Sequence, residues 1–462
     1  MRKTFVIVGA GFSGTVLTAN LLRRPPAAGA DIVLIERNST MGRGVAYAAL
    51  DFPYLLNVPA ARLSADSRDP LQFLRYAQAR LPVGGEDFLP RALYGDYLQD
   101  MLLGAEREAS ANVRLVRVFG EVTGILRSGS GAPLAAQLAD RAPINADIVI
   151  LALGNPPAPL PPWAVDLRGH SGFRQDPRDL PQTLTAGHSV LIVGNGLTMA
   201  DAASALSQHA DRVPMLHTIS RRGLIPKSQS AFHADAMRGS GEALLLHTHS
   251  LGKLLRACRA MAREVEKLGG DWREAVAFIR NLAPTLWRQL PEAERRRFVR
   301  HLQVHWEIYR HRLPPQLTAR IEALRRSGKL RVMAGRIHRV IARDQQLQVW
   351  WRPRGSEATA TLTVDMIVNA TGPNYAIERS ADPLLVSLRE AGLVSADAMN
   401  LGIRTGAFGA CLDAQGRASE YLYYLGPMLR ADHLEATAAA ELRDHAERLA
   451  RHLVAAENTS DA

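Results

Sequence analysis

Cysteine is nearly missing from this chain: 462 residues hold only Cys258 and Cys411, far apart and without a C-x-x-C pair. Neither a redox dithiol nor a cysteine zinc site can therefore be built locally. Long apolar runs are lacking too. No stretch reaches the roughly 18 unbroken apolar residues of a spanning helix, so no membrane insertion or export is indicated and the cytoplasm is the expected location. The opening Met1-Arg2-Lys3 has the look of a secretory signal, but Gly9, Gly11 and Gly14 interrupt the apolar residues behind it. No H-E-x-x-H occurs. His301, His305 and His311, like His247 and His249, lack the carboxylate that would complete a site, and no metal is expected. Ser228 and Ser230 lack the G-x-S-x-G elbow of a hydrolase. Trp272, Trp287 and Trp306 read as core residues.

The remaining composition, 47% hydrophobic and 22% charged, is that of a globular chain long enough for two or three domains, with disorder expected only in the polar tail after Ala455. The net charge of +11 is uneven: between Ala231 and Gly328 stand 18 Lys or Arg against 10 Asp or Glu. These charges interleave at helical spacing and no nucleic-acid motif accompanies them, so they point to anionic cofactors or substrates, not to nucleic acid.

What the chain does have is a glycine-rich loop, twice. Gly9-Ala10-Gly11-Phe12-Ser13-Gly14 follows the apolar run Phe5-Val6-Ile7-Val8, and Gly194-Asn195-Gly196 follows a similar one. Each precedes an alanine-containing helical stretch, which for the second loop begins at Leu197-Thr198 and includes Asp201. Glycines there permit a tight turn and close pyrophosphate approach, with the free N–H groups of the next helix facing negative charge. Glu36 ends the strand beginning at Asp31, about 20 residues after the first loop, where a carboxylate accepts the hydroxyls of an adenosine ribose. Two dinucleotides in one chain are expected.

The segments behind the loops share a grammar. Strands are predicted at Val113 to Val118, Glu121 to Arg127, Leu134 to Leu138 and Ile148 to Leu153, the last stopped by Gly154. Their counterparts are Leu330 to Met333, Arg336 to Ile341, Leu347 to Trp351 and Met366 to Ala370, stopped by Thr371-Gly372. This is an internal duplication. It predicts an α/β fold of two Rossmann-like, three-layer dinucleotide-binding domains. The first spans 1–160 and 371–462, the returning segment carrying the strand Tyr421 to Leu425 and an alanine-rich helix; the second, 186–230 with 329–370, is inserted into it. Residues 231–328 read as a helical cap over the crevice, with apolar Leu251, Leu254, Leu255, Cys258, Met261, Ala262 and Val265 on one face and Pro284, Pro291 and Pro314-Pro315 as punctuation. The run Pro156 to Pro162 is an extended linker.

These residues resemble two-dinucleotide-binding flavoproteins, and more narrowly the bacterial FAD/NAD(P)-binding family that includes an FAD-dependent urate hydroxylase. The resemblance spans nearly the whole chain. It rests on Gly42-Arg43-Gly44-Val45-Ala46-Tyr47, Leu55-Leu56-Asn57-Val58-Pro59-Ala60, Ala152-Leu153-Gly154-Asn155-Pro156-Pro157, Gly196-Leu197-Thr198-Met199-Ala200-Asp201, Ser220-Arg221-Arg222-Gly223, Arg310-His311-Arg312-Leu313-Pro314-Pro315, Asn369-Ala370-Thr371-Gly372-Pro373 and Gly426-Pro427 with Glu441-Leu442-Arg443. It implies FAD on the first loop, with Glu36, Arg37, Tyr47, Val122, Gly154, Gly426 and Pro427 around it, and a nicotinamide nucleotide on the second, near Gly372. Pro427 stands where disulfide reductases of this kind carry an acid. Ser220, Arg221 and Arg222 end a strand where an NAD site usually carries an acid, and arginine clamps a 2′-phosphate, which favours NADPH with NADH as the alternative.

Flavin and reduced nicotinamide in one crevice imply hydride transfer, then delivery of electrons to molecular oxygen or to an organic acceptor. The leading expectation is a monooxygenase hydroxylating a small polar or nitrogen-containing substrate, an anionic one included, urate being the family's example; Asn57 and Arg62 are the candidates for shaping the flavin's reactive face. Against it, Leu167-Arg168-Gly169-His170-Ser171-Gly172-Phe173 only partly matches the F-x-G-x-x-x-H stretch of two-loop flavin monooxygenases. The alternatives are an oxygen-independent reductase or dehydrogenase, and a redox-sensing module that binds both nucleotides without turnover. Substrate and oligomeric state are not legible.

Overall fold

A computed structural model describes residues 2–127, 134–181, 183–230 and 244–460. The turn expected between Arg127 and Leu134, the start of the cap from Ala231 and the last two residues of the polar tail lie outside the described residues. The fold is α/β. The first sheet has six strands in the order Ala410–Leu412, Ala418–Tyr424, Ile148–Leu151, Lys3–Val8, Ala30–Glu36 and Val113–Phe119. All neighbours are parallel except the Ala410–Leu412 edge. Phe5, Val6, Ile7, Ile32, Leu34, Val149 and Ile150 are wholly buried, the continuous apolar pattern that a sheet covered on both faces requires. Helix Phe12–Arg23 packs between Arg91–Arg107 and Ala439–Ser460. A separate three-stranded sheet, Val122–Arg127, Leu134–Leu138 and Ile144–Ala146, leans on the first sheet and carries helix Pro383–Glu390.

The second sheet has seven strands: Ala360–Val364, Gln346–Pro353, Leu330–Arg343, Met215–Ser220, Ser189–Val193, Met366–Asn369 and Phe173–Arg174. A break was expected at Gly335, yet one strand of 14 residues runs through it. Residues 330–334 pair parallel with 216–220, and 335–343 pair antiparallel with the hairpin strand behind. A Cβ on Gly335 would meet the Arg352 carbonyl oxygen at 2.4 Å and the Trp351 ring at 2.7 Å, so glycine here lets the hairpin close instead of ending the strand. In the first half the chain does stop pairing near Gly120, and its meander stands apart. Ile144–Ala146 and Ala360–Val364 had no sequence forecast.

Despite that difference the halves repeat bond for bond at their centres. Gly9 N–H donates to the Ile35 carbonyl and Ala152 N–H to that of Val8; Gly194 donates to Ile219 and Ala370 to Val193, each at 2.8 Å. Gly9, Glu36 and Ala152 therefore correspond to Gly194, Ser220 and Ala370.

The cap comprises helices Leu251–Lys267 and Trp272–Gln289, then Glu292–Arg297 leading through a π-helical turn at Phe298–Leu302 into Gln303–Arg310, and finally Pro315–Arg326. Leu251, Leu254, Met261 and Val265 are its buried stripe. An Asp271–Glu274 capping box starts the second helix, satisfying two otherwise orphaned N–H groups. Pro291 and Pro314-Pro315 mark helix starts, whereas Pro284, against expectation, does not punctuate the cap and lies inside a helix. There it forfeits the bond to the Arg280 carbonyl; burial of Ala283, Leu286 and Trp287 in the cap core outweighs the local preference.

That core is shared with Leu401, Ala431 and Leu434 of the returning segment. Trp287 Nε1 donates to the Ala431 carbonyl at 2.9 Å. Glu435, 1% exposed, accepts from Arg310 and from Trp306 Nε1 at 3.0 Å, and its carboxylate forms an ion pair with Arg280 at 3.2 Å. Glu307 accepts from Arg430 at 2.5 Å, His311 at 2.7 Å and Arg310 at 3.1 Å. Burial alone would raise the Glu307 carboxyl, but His311, Arg310 and Arg430 together hold it well below the usual range.

Removing one member of such a buried set strands the others. Glu435→Ala should lower the unfolding free energy by about 3–5 kcal/mol in denaturant titration, and Glu435→Gln by less. Acid should act through a half-buried pair, His433 and His445, whose rings lie 4.7 Å apart. Burial, then His433 and Arg448, push His445 down to about 3. The unfolded chain takes up that proton near pH 6.5 and the folded one does not, so stability should fall as pH drops from about 6.5 toward 3. In His445→Gln the slope of denaturation midpoint against pH across that window should flatten; an unchanged slope would locate the effect elsewhere.

Candidate functional site

A cavity of about 610 Å³ opens at the carboxyl ends of the strands, where open parallel sheets bind ligands and within the size range of small-molecule sites. Gly9, Gly11, Phe12 and Ser13 form one wall. Gly9 has φ +103°, and a Cβ there would strike the Ala152 carbonyl oxygen at 2.3 Å; a Cβ on Gly14 would strike the Gly9 carbonyl oxygen at 1.9 Å. The first glycine thus seats the loop against the neighbouring strand, and the third lets helix Phe12–Arg23 close on the loop. The helix's first N–H groups have no partners within the helix, and Phe12 and Ser13, which carry two of them, line the cavity.

Glu36 lines the cavity and is 5% exposed. Its Oε2 accepts from Ala10 N–H at 2.9 Å, and its Oε1 from the N–H and Nδ2 of Asn38 at 3.0 and 2.8 Å. The carboxylate is thereby fixed beside the loop. Arg37 joins the same wall, 3.8 Å from Asp382. Tyr47 lines it too, its ring against Tyr94 and Phe12 at 4.7 and 6.4 Å; burial pushes its phenol up to about 12. Val122, Gly154, Gly372 and Pro427 complete the expected set on this wall. Gly426 is just behind, where a Cβ would meet the Tyr424 hydroxyl at 2.7 Å.

The second half reaches the same cavity through Thr198 and Asp201 of helix Leu197–Leu206 and through Asn369 and Ala370. Gly194, with φ +117°, would place a Cβ 2.2 Å from the Ala370 carbonyl oxygen, repeating the Gly9 contact. Gly194, Gly196 and Leu197 themselves stand off the cavity wall. Both polar atoms of buried Asn195 lack a hydrogen-bond partner among the described residues, an arrangement that suits a polar ligand on this loop. The Ser220 hydroxyl accepts from Gly223 N–H at 3.0 Å, Arg221 is exposed, and Arg222 donates to the His301 carbonyl at 3.0 Å. Arg222 also helps hold His305 below its ordinary range, after burial and together with Arg354 and Arg259, so a basic patch surrounds this strand end.

Two carboxylate–arginine pairs absent from the sequence forecast flank Tyr54 on the wall. Arg91 donates to Asp201 at 2.7 Å and Arg178 pairs with Asp176. Burial, then Asp201, push the Tyr54 phenol up to about 12, and Asp201 is itself raised by burial against the pull of Arg91. Arg91 is 110 residues from Asp201 and carries no motif, so only the tertiary fold could reveal the pair. Asn57 and Arg62 are not on the cavity wall; Arg62 is 3.4 Å from Glu86.

Residues 6–156 match a family model described as FAD-NAD(P)-binding. Comparison with curated proteins gives no match. Among solved structures, ornithine hydroxylase from Pseudomonas aeruginosa superposes with a TM-score of 0.65 at 16% identity, over 98% of this chain and 99% of its own. The cadaverine monooxygenase of the desferrioxamine pathway from Erwinia amylovora, solved with FAD, gives 0.65 at 13%, over 100% and 95%. An ornithine N-hydroxylase from Kutzneria sp. 744, solved with reduced FAD, NADP+ and L-ornithine, gives 0.61 at 15%, over 100% of both chains. The whole chain thus has the two-dinucleotide-binding flavoprotein fold.

The loop geometry makes a sharp forecast. Gly14→Val would force helix Phe12–Arg23 away from the Gly9 carbonyl, and the purified variant should lose the visible flavin absorbance of the parent while keeping its far-ultraviolet circular dichroism.

Proposed function

We propose that the protein is an FAD- and NADPH-dependent monooxygenase that hydroxylates a small polar, nitrogen-containing molecule. One observation carries the reading: a single cavity is walled at once by the first glycine loop with Glu36 and by Thr198 and Asp201 of the helix that follows the second loop. In this reading, residues 1–160 and 371–462 form the FAD domain, 186–230 and 329–370 the NADPH domain, and 231–328 the cap.

Gly9 to Gly14 and the N-terminus of helix Phe12–Arg23 would hold the FAD pyrophosphate, Glu36 the ribose, Val122 the adenine side and Pro427 the ring end. Gly194, Gly196 and the start of helix Leu197–Leu206 would hold the second pyrophosphate. Ser220 corresponds in register to Glu36, so no carboxylate opposes a 2′-phosphate there, and Arg221 and Arg222 add positive charge. The flavin, when bound, supplies two-electron exchange with nicotinamide and the reaction with oxygen. The chain supplies position and shelter. Tyr47 and Phe12 present an aromatic wall backed by the buried Tyr94, and Tyr54 with the pairs Arg91–Asp201 and Arg178–Asp176 presents both signs of charge to a polar substrate.

A dithiol route has no support in the placement of sulfur. Cys411 is buried, its thiol raised far above the ordinary range by burial, and Cys258 sits in the cap, pushed up to about 11 for the same reason. Of the two remaining acceptors, oxygen is favoured over an organic molecule by the fold relatives, which are hydroxylases and monooxygenases by name. Support for an amine substrate comes from the names of the fold relatives, which act on ornithine and cadaverine.

Purified protein supplied with NADPH and a panel of amines, amino acids and purines should consume oxygen one-for-one with NADPH and yield hydroxylated product. Equal turnover under argon with an organic acceptor would defeat the oxygenase reading. Arg221→Ala should raise KM for NADPH about tenfold, the value of one charge-assisted contact, and leave KM for NADH unchanged.

A further inference from the structure

Two linkers pass between the halves, and they run side by side. Asn374 N–H donates to the Pro157 carbonyl at 3.2 Å, and the Tyr375 hydroxyl donates to Asn155 Oδ1 at 2.9 Å. Asn155 follows Gly154 at the end of the Ile148–Leu151 strand and lines the cavity. The GNPP motif was conspicuous in the sequence for its glycine and prolines; the asparagine had no role in that reading.

Behind Tyr375 stands the buried Arg430, its Cζ 5.6 Å from the ring centroid and its Nη2 fastened to Glu307 of the cap at 2.5 Å. A guanidinium offers five N–H donors and no acceptor, so the phenol cannot donate toward it. The arginine favours the oxygen's lone pairs, and the phenol's proton is left for the Asn155 carbonyl. Burial raises the Tyr375 phenol although Arg430 opposes it, which keeps that proton in place at neutral pH. An amide whose oxygen is engaged in this way has its NH₂ turned aside, and among the described residues that NH₂ has no partner.

We infer that Asn155 is a binding residue held by Tyr375 as a hydrogen-bond donor into the cavity, aimed at an amide-type carbonyl oxygen of the bound redox rings. Tyr375 is then a positioning residue, and Arg430 with Glu307 sets the direction of its proton. The inference rests on the proposed function. Two groups present that chemistry, the carboxamide of nicotinamide and the carbonyls of the flavin ring, and the experiment separates them. A latch that merely joins the linkers would need the bond but not its direction.

The test uses the flavin-loaded full chain and three variants: Tyr375→Phe, Asn155→Asp and the double variant. Asn155→Asp keeps the acceptor that Tyr375 needs, removes the donor and adds a carboxylate charge, so the effect it shares with the charge-neutral Tyr375→Phe is the one that counts. Each protein is titrated with NADP+, and its flavin spectrum and reduction potential are recorded without substrate. If the partner is the carboxamide, both single variants should weaken NADP+ binding about tenfold, the worth of one hydrogen bond, with the spectrum unmoved. If it is the flavin, both should shift the spectrum and potential with NADP+ affinity unmoved. In either case the double variant should match Asn155→Asp alone, because the tyrosine acts through the asparagine. Parental values in both single variants, or an effect confined to one of them, or additive effects in the double variant, would overturn the inference. Failure of the parent itself to retain flavin would instead overturn the proposed function.

Discussion

A peptide carbonyl pressed against a glycine governs the geometry of both halves. At Gly9 and Gly194 the chain leaves its strand with positive φ, so close to the Ala152 and Ala370 carbonyls that no side chain fits. That contact fixes where the following helix begins, and hence where its unpaired N–H groups point. The final strand of each half is bound in the same step, since Ala152 and Ala370 donate back to the first strands. The cavity wall, its positive helix ends and the linkers that start at Gly154 and Gly372 all follow from this one close approach.

Repetition at the centre coexists with divergence at the edges, and the divergence bears the chemistry. Glu36 and Ser220 occupy matching positions, yet the first is a fixed carboxylate with three donors and the second a hydroxyl followed by two arginines. Gly14 and Met199 also match; the first permits the helix to touch the loop, and the wholly buried Met199 forbids the same contact. One βαβ plan has thereby become two strand ends of different charge, acidic in the first half and basic in the second. Between them stand paired charges around Tyr54, contributed by segments from both halves.

The parts of the site legible in the sequence were those with a local cause. Glycine spacing, an acid at the end of the next strand and apolar runs of strand length are short-range signals, and four residues they single out, Gly9, Glu36, Gly154 and Gly372, line the cavity, while Gly194 stands off its wall. Residues whose role is created by distant partners left no such trace. Arg91 gains its part from Asp201, Asn155 from Tyr375, and Arg430 from Glu307, all across long stretches of chain. Gly335 and Pro284 misled for the same reason: cross-strand closure at one, and burial in the cap core at the other, override the usual meaning of glycine and proline. Asn57 and Arg62 stand near a motif in sequence, and neither lies on the cavity wall.

The ionic cluster beneath the cap has a mechanical side. Lifting the helices off the returning segment would leave Glu435 facing arginines no longer there, in an apolar setting that cannot replace them with water until separation is complete. Such a joint resists partial opening and yields only all at once. The cap and the segment from Leu401 to Thr437 are accordingly expected to stay together, and the paired linkers, with few hydrogen bonds between them, are the easier place to part.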